Sequence, residues 1–226
     1  MKYATPDGMV YWVRTSDDFR VHINLMDEAG DTFQETLRAG KRVGDGGGLA
    51  EGIGKVANGK SVTILKETDG FIDYFNPAGE KIRIYKQPNK TIINSISEKL
   101  NSSNAGTRLE ALVADFINKN TDATITDFGN KIKNASGGVI GDIDCATTNQ
   151  LIEVKKSISS VKVDQFEKYV NVEEAKFFNV DNKTVILYVD EPIDLSNVNN
   201  VNKLNSIKEK GVIVVNGLEE LKGVIQ

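Results

Sequence analysis

Two short stretches of the chain bring acidic and basic residues into close spacing: Asp142 with Asp144, and Glu153 with Lys155. The polar pair Thr148-Asn149 lies midway between them and predicts a two-residue turn joining two antiparallel strands. In that register Asp144 lies opposite Glu153, and Asp142 lies opposite Lys155. Opposed carboxylates repel each other unless a cation lies between them. The spacing therefore predicts a divalent metal site built from oxygen ligands.

Alternation along this hairpin should separate its charged residues from its apolar ones. The charged residues share one face, and the other face carries Ile143, Cys145, Ile152 and Val154. Such apolar residues favour strands inside a sheet, where clustered acids are costly unless they are neutralised. The alternative is a solvent-exposed hairpin face, on which charged residues are common.

The elements that must position these residues follow from periodicity after residue 90. Apolar residues at helical spacing predict a helix over 107–118, and β-type runs predict strands over 123–128, 139–146 and 151–155. A helix over 163–170 and a strand over 184–189 complete an α-β-β-β-α-β order. Further elements are predicted as a short helix over 95–100, a helix over 201–210, a strand over 212–215 and a helix over 218–225.

Residues 1–90 have a different, β-rich and irregular pattern. Strands are predicted over 9–14, 20–26, 61–66, 71–75 and 81–86, and a boundary between two domains is predicted near residue 90, at Gln87-Pro88-Asn89. Residues 54–61 match the phosphate-binding pattern G-x-x-x-x-G-K-S. A strand pattern rather than a helix follows, so we expect a loop there and not a phosphate-binding site.

Composition narrows the function. The 226 residues carry 28 basic and 32 acidic side chains, with 13 of each before residue 91, so the net charge of −4 arises after it. A negative net charge argues against binding nucleic acid through the overall charge of the protein, so any nuclease activity must depend on a local site. His22 and Cys145 are the only residues of their kinds, which excludes multi-histidine metal centres and an internal disulfide. No membrane span and no signal peptide are expected.

Glu110 on the 107–118 helix, Asp144, and Glu153-Val154-Lys155 together resemble the PD-(D/E)XK nuclease superfamily. The resemblance implies an α/β fold whose αβββαβ core contains a mixed sheet. It also implies that Glu110, Asp144, Glu153 and Lys155 are catalytic, with Glu110, Asp144 and Glu153 holding Mg²⁺, Mn²⁺ or Zn²⁺ and the Val154 carbonyl as a further ligand. Ile143 stands where the superfamily name has proline, a frequent substitution there.

Gln165 and Tyr169 look like the Q-x-x-x-Y signature that some superfamily members carry on the helix after the active-site strands. Their four-residue spacing places both on one helix face. The alternative is ordinary packing, with Tyr169 in the core. We expect Asp142, Gln165 and Tyr169 to support the site.

The last 135 residues resemble the C-terminal toxin domains of bacterial polymorphic toxins, including contact-dependent growth inhibition effectors. The segments that carry this resemblance are 157–170, 184–193 and 211–221. It implies a nuclease domain over 91–226 that cleaves DNA or tRNA, preceded by a region over 1–90 that aids entry into the target cell. It also implies delivery within a larger secreted or cell-surface effector, action in the target-cell cytoplasm, and neutralisation by a cognate immunity protein.

Two other functions fit the same residues. One is a housekeeping or restriction-type nuclease of the same fold, which would have no immunity partner. The other is a non-catalytic binding module whose acidic face recognises a basic partner.

Overall fold

The computed structural model describes the backbone of residues 2–4, 10–12, 20–26, 32–38, 53–57, 60–76, 79, 81–134 and 136–225. Side chains are described from residue 62 onward, except at 63, 77, 78, 80 and 135. The chain divides into two compact units, Met1–Ile53 and Gly54–Gln226.

The first unit contains a four-stranded antiparallel sheet in the order β1-β2-β3-β4. Its strands are β1 (Lys2–Ala4), β2 (Val10–Trp12), β3 (Arg20–Met26) and β4 (Thr32–Arg38). The predicted strand over 20–26 is confirmed and contains His22, and the strand predicted over 9–14 is shorter.

The second unit is built on a nine-stranded mixed sheet in the order β13-β12-β11-β10-β9-β8-β7-β6-β5. Neighbours from β6 to β11 pair antiparallel, whereas β11-β12 and β12-β13 pair parallel. The strands are β5 (Ile53–Ala57), β6 (Lys60–Glu67), β7 (Phe71–Phe75), β8 (Lys81–Tyr85), β9 (Ile125–Asn134), β10 (Val139–Thr147), β11 (Gln150–Lys155), β12 (Thr184–Val189) and β13 (Ile213–Asn216).

Five helices accompany this sheet in the described part of the chain. They are α1 (Asn89–Lys99), α2 (Ala105–Asn120), α3 (Glu167–Val170), α4 (Val198–Glu209) and α5 (Leu218–Val224). The side chain of Asn104 caps α2 by accepting a 3.0 Å hydrogen bond from the Thr107 amide, which satisfies one of the free donors of the first turn. None of the described helices combines the length and apolar character needed to cross a membrane.

Apolar side chains form two buried clusters. The first contains Ile82, Ile132, Leu151 and Tyr169 among others, and joins strands β6–β8 to β9–β12. The second packs α1, α2 and α5 against residues that include Cys145, Ile152 and Val154. Strands β10 and β11 contribute to both clusters and are therefore central, as their sequences predicted.

The element order from α2 to β12 is the predicted α-β-β-β-α-β order. One element differs in form: the helix predicted over 163–170 begins as a 3₁₀ turn, Val163–Phe166, and becomes α-helical only at Glu167–Val170. The G-x-x-x-x-G-K-S match is followed by strand β6 and not by a helix, as expected, but the loop expected over 54–61 is wrong, because residues 53–57 and 60–67 are both strands.

The division of the chain lies at residues 53/54 rather than near residue 90. Strands β6–β8 belong to the same sheet as the C-terminal elements, because Ile82 and Arg83 of β8 pair with Asn134 and Lys133 of β9. The Gln87 side chain fastens the predicted linker to β9: Nε2 donates to the Phe128 carbonyl at 3.1 Å, and Oε1 accepts from the Phe128 amide at 2.8 Å. The polar, proline-containing stretch is therefore a strand-to-helix connection within one unit.

Candidate active site

Strands β10 and β11 pair in the predicted register next to their turn, with Cys145 opposite Ile152 and Ala146 opposite Leu151. Farther from the turn, the Val154 amide donates a 2.8 Å hydrogen bond to Oδ2 of Asp144. A side chain therefore links the strands beyond these two pairs, at the open end of the hairpin where the charged residues lie.

The Lys155 ammonium lies among three oxygen atoms at this end of the hairpin. Nζ donates to Oε1 of Glu153, lies 3.3 Å from the Val154 carbonyl oxygen, and lies 3.8 Å from Oδ2 of Asp144. Oxygens from both carboxylates and from the backbone thus converge on one positive charge. This is the arrangement of ligands that a hard divalent cation uses.

Tyr169 positions the second carboxylate. Its buried hydroxyl donates to Oε2 of Glu153 and lies 3.3 Å from the Asp142 carbonyl oxygen. Both oxygens of Glu153 therefore have hydrogen-bond donors, one from Lys155 and one from Tyr169. The structure brings together Asp144, Glu153, Lys155 and Tyr169.

Burial governs the electrostatics of the group, since Asp144 and Glu153 are each 6% exposed. Burial and the neighbouring Glu153 carboxylate raise the pKa of Asp144 to about 8, against the opposing effect of Lys155. Burial tends to lower the pKa of Lys155, but the two carboxylates outweigh it and leave that pKa raised. Burial, followed by the Glu153 charge, raises the pKa of Tyr169 well above its ordinary value. A further positive charge would relieve the repulsion between the carboxylates.

Glu110 lies on α2, half-buried, and its side chain forms no hydrogen bond or ion pair with any described residue. Burial raises the pKa of Glu110, opposed by the charges of Lys99 and Lys155. Within the described residues, no three His, Cys, Asp or Glu side chains form a metal-binding group. The charge of Glu110 nevertheless contributes to the raised pKa of Asp144. The oxygens that converge on the Lys155 ammonium are those of Asp144, Glu153 and the Val154 carbonyl.

Lys99, at the end of α1, was not singled out from the sequence. Its ammonium lies 4.7 Å from the centre of the Phe128 ring, and its positive charge opposes the rise in the pKa of Glu110. Gly129 makes room for it, because a Cβ built there would overlap the ammonium. No sequence signal joins Lys99 to the site, since the contact depends on how α1 packs against β9.

Asp142 and Gln165 lie outside the cluster. The Asp142 side chain is 63% exposed and pairs with Lys168 at 3.5 Å rather than with Lys155. Nε2 of Gln165 is buried without a hydrogen-bond partner among the described residues. Of the predicted supporting residues, Tyr169 is the one that contacts a carboxylate of the cluster.

The predicted apolar face of the hairpin is wrong at one position. Ile143 packs in the cluster that contains Leu151, whereas Cys145, Ile152 and Val154 pack in the helix-covered cluster. The cause lies in β9, where Gly129 adopts a left-handed φ of +59° between the residues that pair with Ile143 and Cys145. Such a conformation interrupts the regular alternation of a strand pair.

A cleft of about 630 Å³ lies beside the hairpin turn and contains Asp127 and Lys183. Burial raises the pKa of Asp127 to about 6, opposed by its hydrogen bond from Asn130. The Lys183 ammonium donates to the Thr147 carbonyl at 2.6 Å and to Oγ1 of Thr126 at 3.0 Å. These bonds fix the connection before β12, and the cleft lies away from the open end of the hairpin.

The chain matches no protein-family model, and no curated protein matches its sequence.

Proposed function

We propose that this chain is a metal-dependent nuclease that hydrolyses phosphodiester bonds of DNA or tRNA. The observation that carries the proposal is the convergence of Asp144, Glu153 and the Val154 carbonyl on the position of the Lys155 ammonium. The α-β-β-β-α-β order around these residues is consistent with the resemblance to PD-(D/E)XK nucleases.

Asp144, Glu153 and the Val154 carbonyl would hold Mg²⁺, Mn²⁺ or Zn²⁺. Glu110 would complete the acidic group, directly or through a metal-bound water. A metal bound there supplies Lewis-acid stabilisation of the phosphate and an acidified water. Tyr169 keeps the Glu153 carboxylate oriented, and the Val154 amide does the same for Asp144. Lys155 orients the attacking water or donates to the charge that develops on the phosphate.

Burial separates this proposal from the non-catalytic alternative. A face that recognises a basic partner must present its carboxylates to solvent, but Asp144 and Glu153 are each 6% exposed. Asp142 is the exposed acid of the group, and it already pairs with Lys168. A metal ion can reach the buried carboxylates, whereas a protein surface would be held off by their surroundings.

The test compares two adjacent lysines. The full chain is incubated with plasmid DNA or total tRNA and Mn²⁺, with a chelator as the blank. Lys155→Met should lower cleavage about 10²-fold or more, the effect of removing a positioned charge-stabilising group. Lys156→Met is the matched control, because Lys156 is 71% exposed and pairs with Glu191. Equal cleavage by both variants, or cleavage that survives the chelator, contradicts the proposal.

Metal binding is tested separately by calorimetry. Wild-type protein should bind Mn²⁺, and Asp144→Asn should bind it at least about 10-fold more weakly, because one of two buried carboxylate ligands is lost. Equal affinity in the two proteins would remove Asp144 from the metal site.

The wider proposal is that this nuclease is a toxin, delivered by a larger secreted or cell-surface effector into a competing bacterium and neutralised by a cognate immunity protein. Its support is the resemblance of the last 135 residues to polymorphic toxin domains. Cytoplasmic expression in a bacterium should stop growth, and Glu153→Gln should abolish this effect. A wild-type protein that cleaves nucleic acid in vitro but is tolerated by the cell would favour the housekeeping or restriction-type nuclease.

A further inference from the structure

One face of the antiparallel half of the sheet is cationic although the chain as a whole carries a net charge of −4. On β8 and β9 the residues Ile82, Ile84 and Ile132 are buried, so the residues between them point to the opposite side. That side, which we call the basic face, consists of Lys66, Phe71, Asp73, Lys81, Arg83, Tyr85, Lys131 and Lys133.

Strand register places these residues side by side. Lys66 is opposite Asp73, Asp73 is opposite Arg83, and Arg83 is opposite Lys133. Lys131, two residues before Lys133, is opposite Asp142 in the β9-β10 ladder. The basic face therefore runs across four strands and ends beside Asp142, two residues from Asp144.

One carboxylate on the face organises the cations without neutralising them. Asp73 accepts bonds from Nε and Nη2 of Arg83 at 2.5 and 2.7 Å, and an ion pair from Lys81 at 3.1 Å. The basic face thus holds five cationic side chains against one buried acid. Lys131 and Lys133 are exposed and have no ion-pair partner in the described part of the chain.

Aromatic rings lie among these charges. Phe71 and Tyr85 face each other on adjacent strands with ring centres 6.5 Å apart, and the Arg83 guanidinium lies 4.0 Å from the centre of the Phe71 ring. Tyr85 is 46% exposed, although an aromatic side chain gains most from burial. A pocket of about 240 Å³ beside it is lined by Lys81, Arg83 and Lys133.

From this arrangement we propose that the basic face binds a single-stranded segment of nucleic acid. The exposed lysines can form ion pairs with the phosphates, and the pocket lined by Lys81, Arg83 and Lys133 can hold one phosphate. The exposed ring of Tyr85 can stack on an unpaired base. Cations interleaved with stacking aromatics are the recurrent means of binding single strands, whose bases are free to stack. This inference rests on the proposed nuclease function and names the form of its substrate.

The test measures binding without cleavage. A fluorescein-labelled single strand of about 16 nucleotides, within the site sizes of such proteins, is titrated in a chelator and followed by anisotropy. A duplex of the same length is titrated in parallel. The variants are Tyr85→Ala and the double variant Lys131→Ala/Lys133→Ala. The double variant Lys208→Ala/Lys222→Ala, which removes two exposed lysines from α4 and α5, is the charge-matched control.

We expect wild-type protein and the control to bind the single strand alike. Loss of Lys131 and Lys133 should weaken binding about 10-fold at low salt and reduce the slope of log affinity against log salt by about 1.4. Loss of the Tyr85 ring should weaken it about 5-fold or more with the slope unchanged. Arg83 is left intact because its removal would leave buried Asp73 without its main partner.

Four results would overturn the inference: no binding of the single strand, normal binding by the basic-face variants, equal weakening in the control, or stronger binding of the duplex with no effect of Tyr85→Ala. Failure of the proposed function looks different. If Lys155→Met cleaves normally while the basic-face variants lose binding, the surface stands and the catalytic assignment falls. If Lys155→Met is inactive while the basic-face variants bind normally, the catalytic assignment stands and the proposed binding surface is wrong.

Discussion

Deleting β6–β8 provides a direct test of how the part of the chain that contains the candidate site is stabilised. The four residues that the site brings together all lie after residue 90, so a fragment over 91–226 retains every one of them. They are Asp144, Glu153, Lys155 and Tyr169. The fragment loses, however, the strands that cover part of the first apolar cluster. We therefore expect the fragment over 91–226 not to fold cooperatively, whereas a fragment over 54–226 should.

The magnitude follows from what the deletion uncovers. Ile132, Ile143 and Phe178 are 0%, 6% and 2% exposed and belong to the cluster that contains the apolar residues of β6–β8. Exposing a buried aliphatic or aromatic side chain costs about 1.5–3 kcal/mol, so the three together cost roughly 5–9 kcal/mol. The Phe177 carbonyl also loses its hydrogen bond from the Tyr74 hydroxyl. This total is comparable to the whole stability of a typical domain.

The assay is urea unfolding followed by circular dichroism at 222 nm, since the single tryptophan lies outside both fragments. The fragment over 54–226 should show one cooperative transition, and the fragment over 91–226 a shallow, non-cooperative one. A cooperative transition of the shorter fragment at the same urea concentration, together with nuclease activity, would refute the reasoning.

Three substitutions test the site more closely. In a chelator, Asp144→Asn should be more stable than wild type at pH 8. Burial raises the native pKa of Asp144 to about 8, so wild-type stability should fall as pH rises from about 4 to 8. Urea titrations that show the same advantage of Asp144→Asn at every pH would contradict this. Tyr169→Phe removes the hydroxyl bond to Glu153 and should cost about 1–3 kcal/mol of stability and lower kcat more than KM, whereas unchanged kinetics would exclude a positioning role. Gly129→Ala should lower stability in thermal unfolding about as much as Gly79→Ala, because both glycines have positive φ and the flexible end of Lys99 can move away from the added Cβ; a much larger loss at position 129 would contradict this.

The local geometry of the site was accessible from the sequence because it depends on local rules. A polar two-residue turn fixes which residues of a hairpin face each other, and the structure shows the predicted register at Cys145 and Ile152. The strands over 71–75 and 184–189 also match their predicted bounds, since each is a compact β-type run with clear ends.

Features that depend on tertiary packing were not accessible. The two compact units divide at residues 53/54 and not near residue 90, where the side chain of Gln87 pairs with Phe128, a partner 41 residues away. The position of Ile143 was wrong because the left-handed conformation of Gly129 acts from the neighbouring strand. The net charge concealed the basic face, since a sum over the chain does not record that Lys131 and Lys133 share a side of the sheet.

Because Asp144 accepts a hydrogen bond from the Val154 amide, this residue has a structural role as well as its proposed functional one. The Asp144 side chain is a proposed metal ligand and also links β10 to β11, whereas the Lys155 ammonium, at the end of β11, contacts the site alone. Selection for a folded protein would therefore preserve an acceptor at position 144 even in a descendant that lacked the proposed nuclease activity. Position 155 would be free to drift first, so in such a lineage the lysine and not the aspartate records whether the activity is still in use.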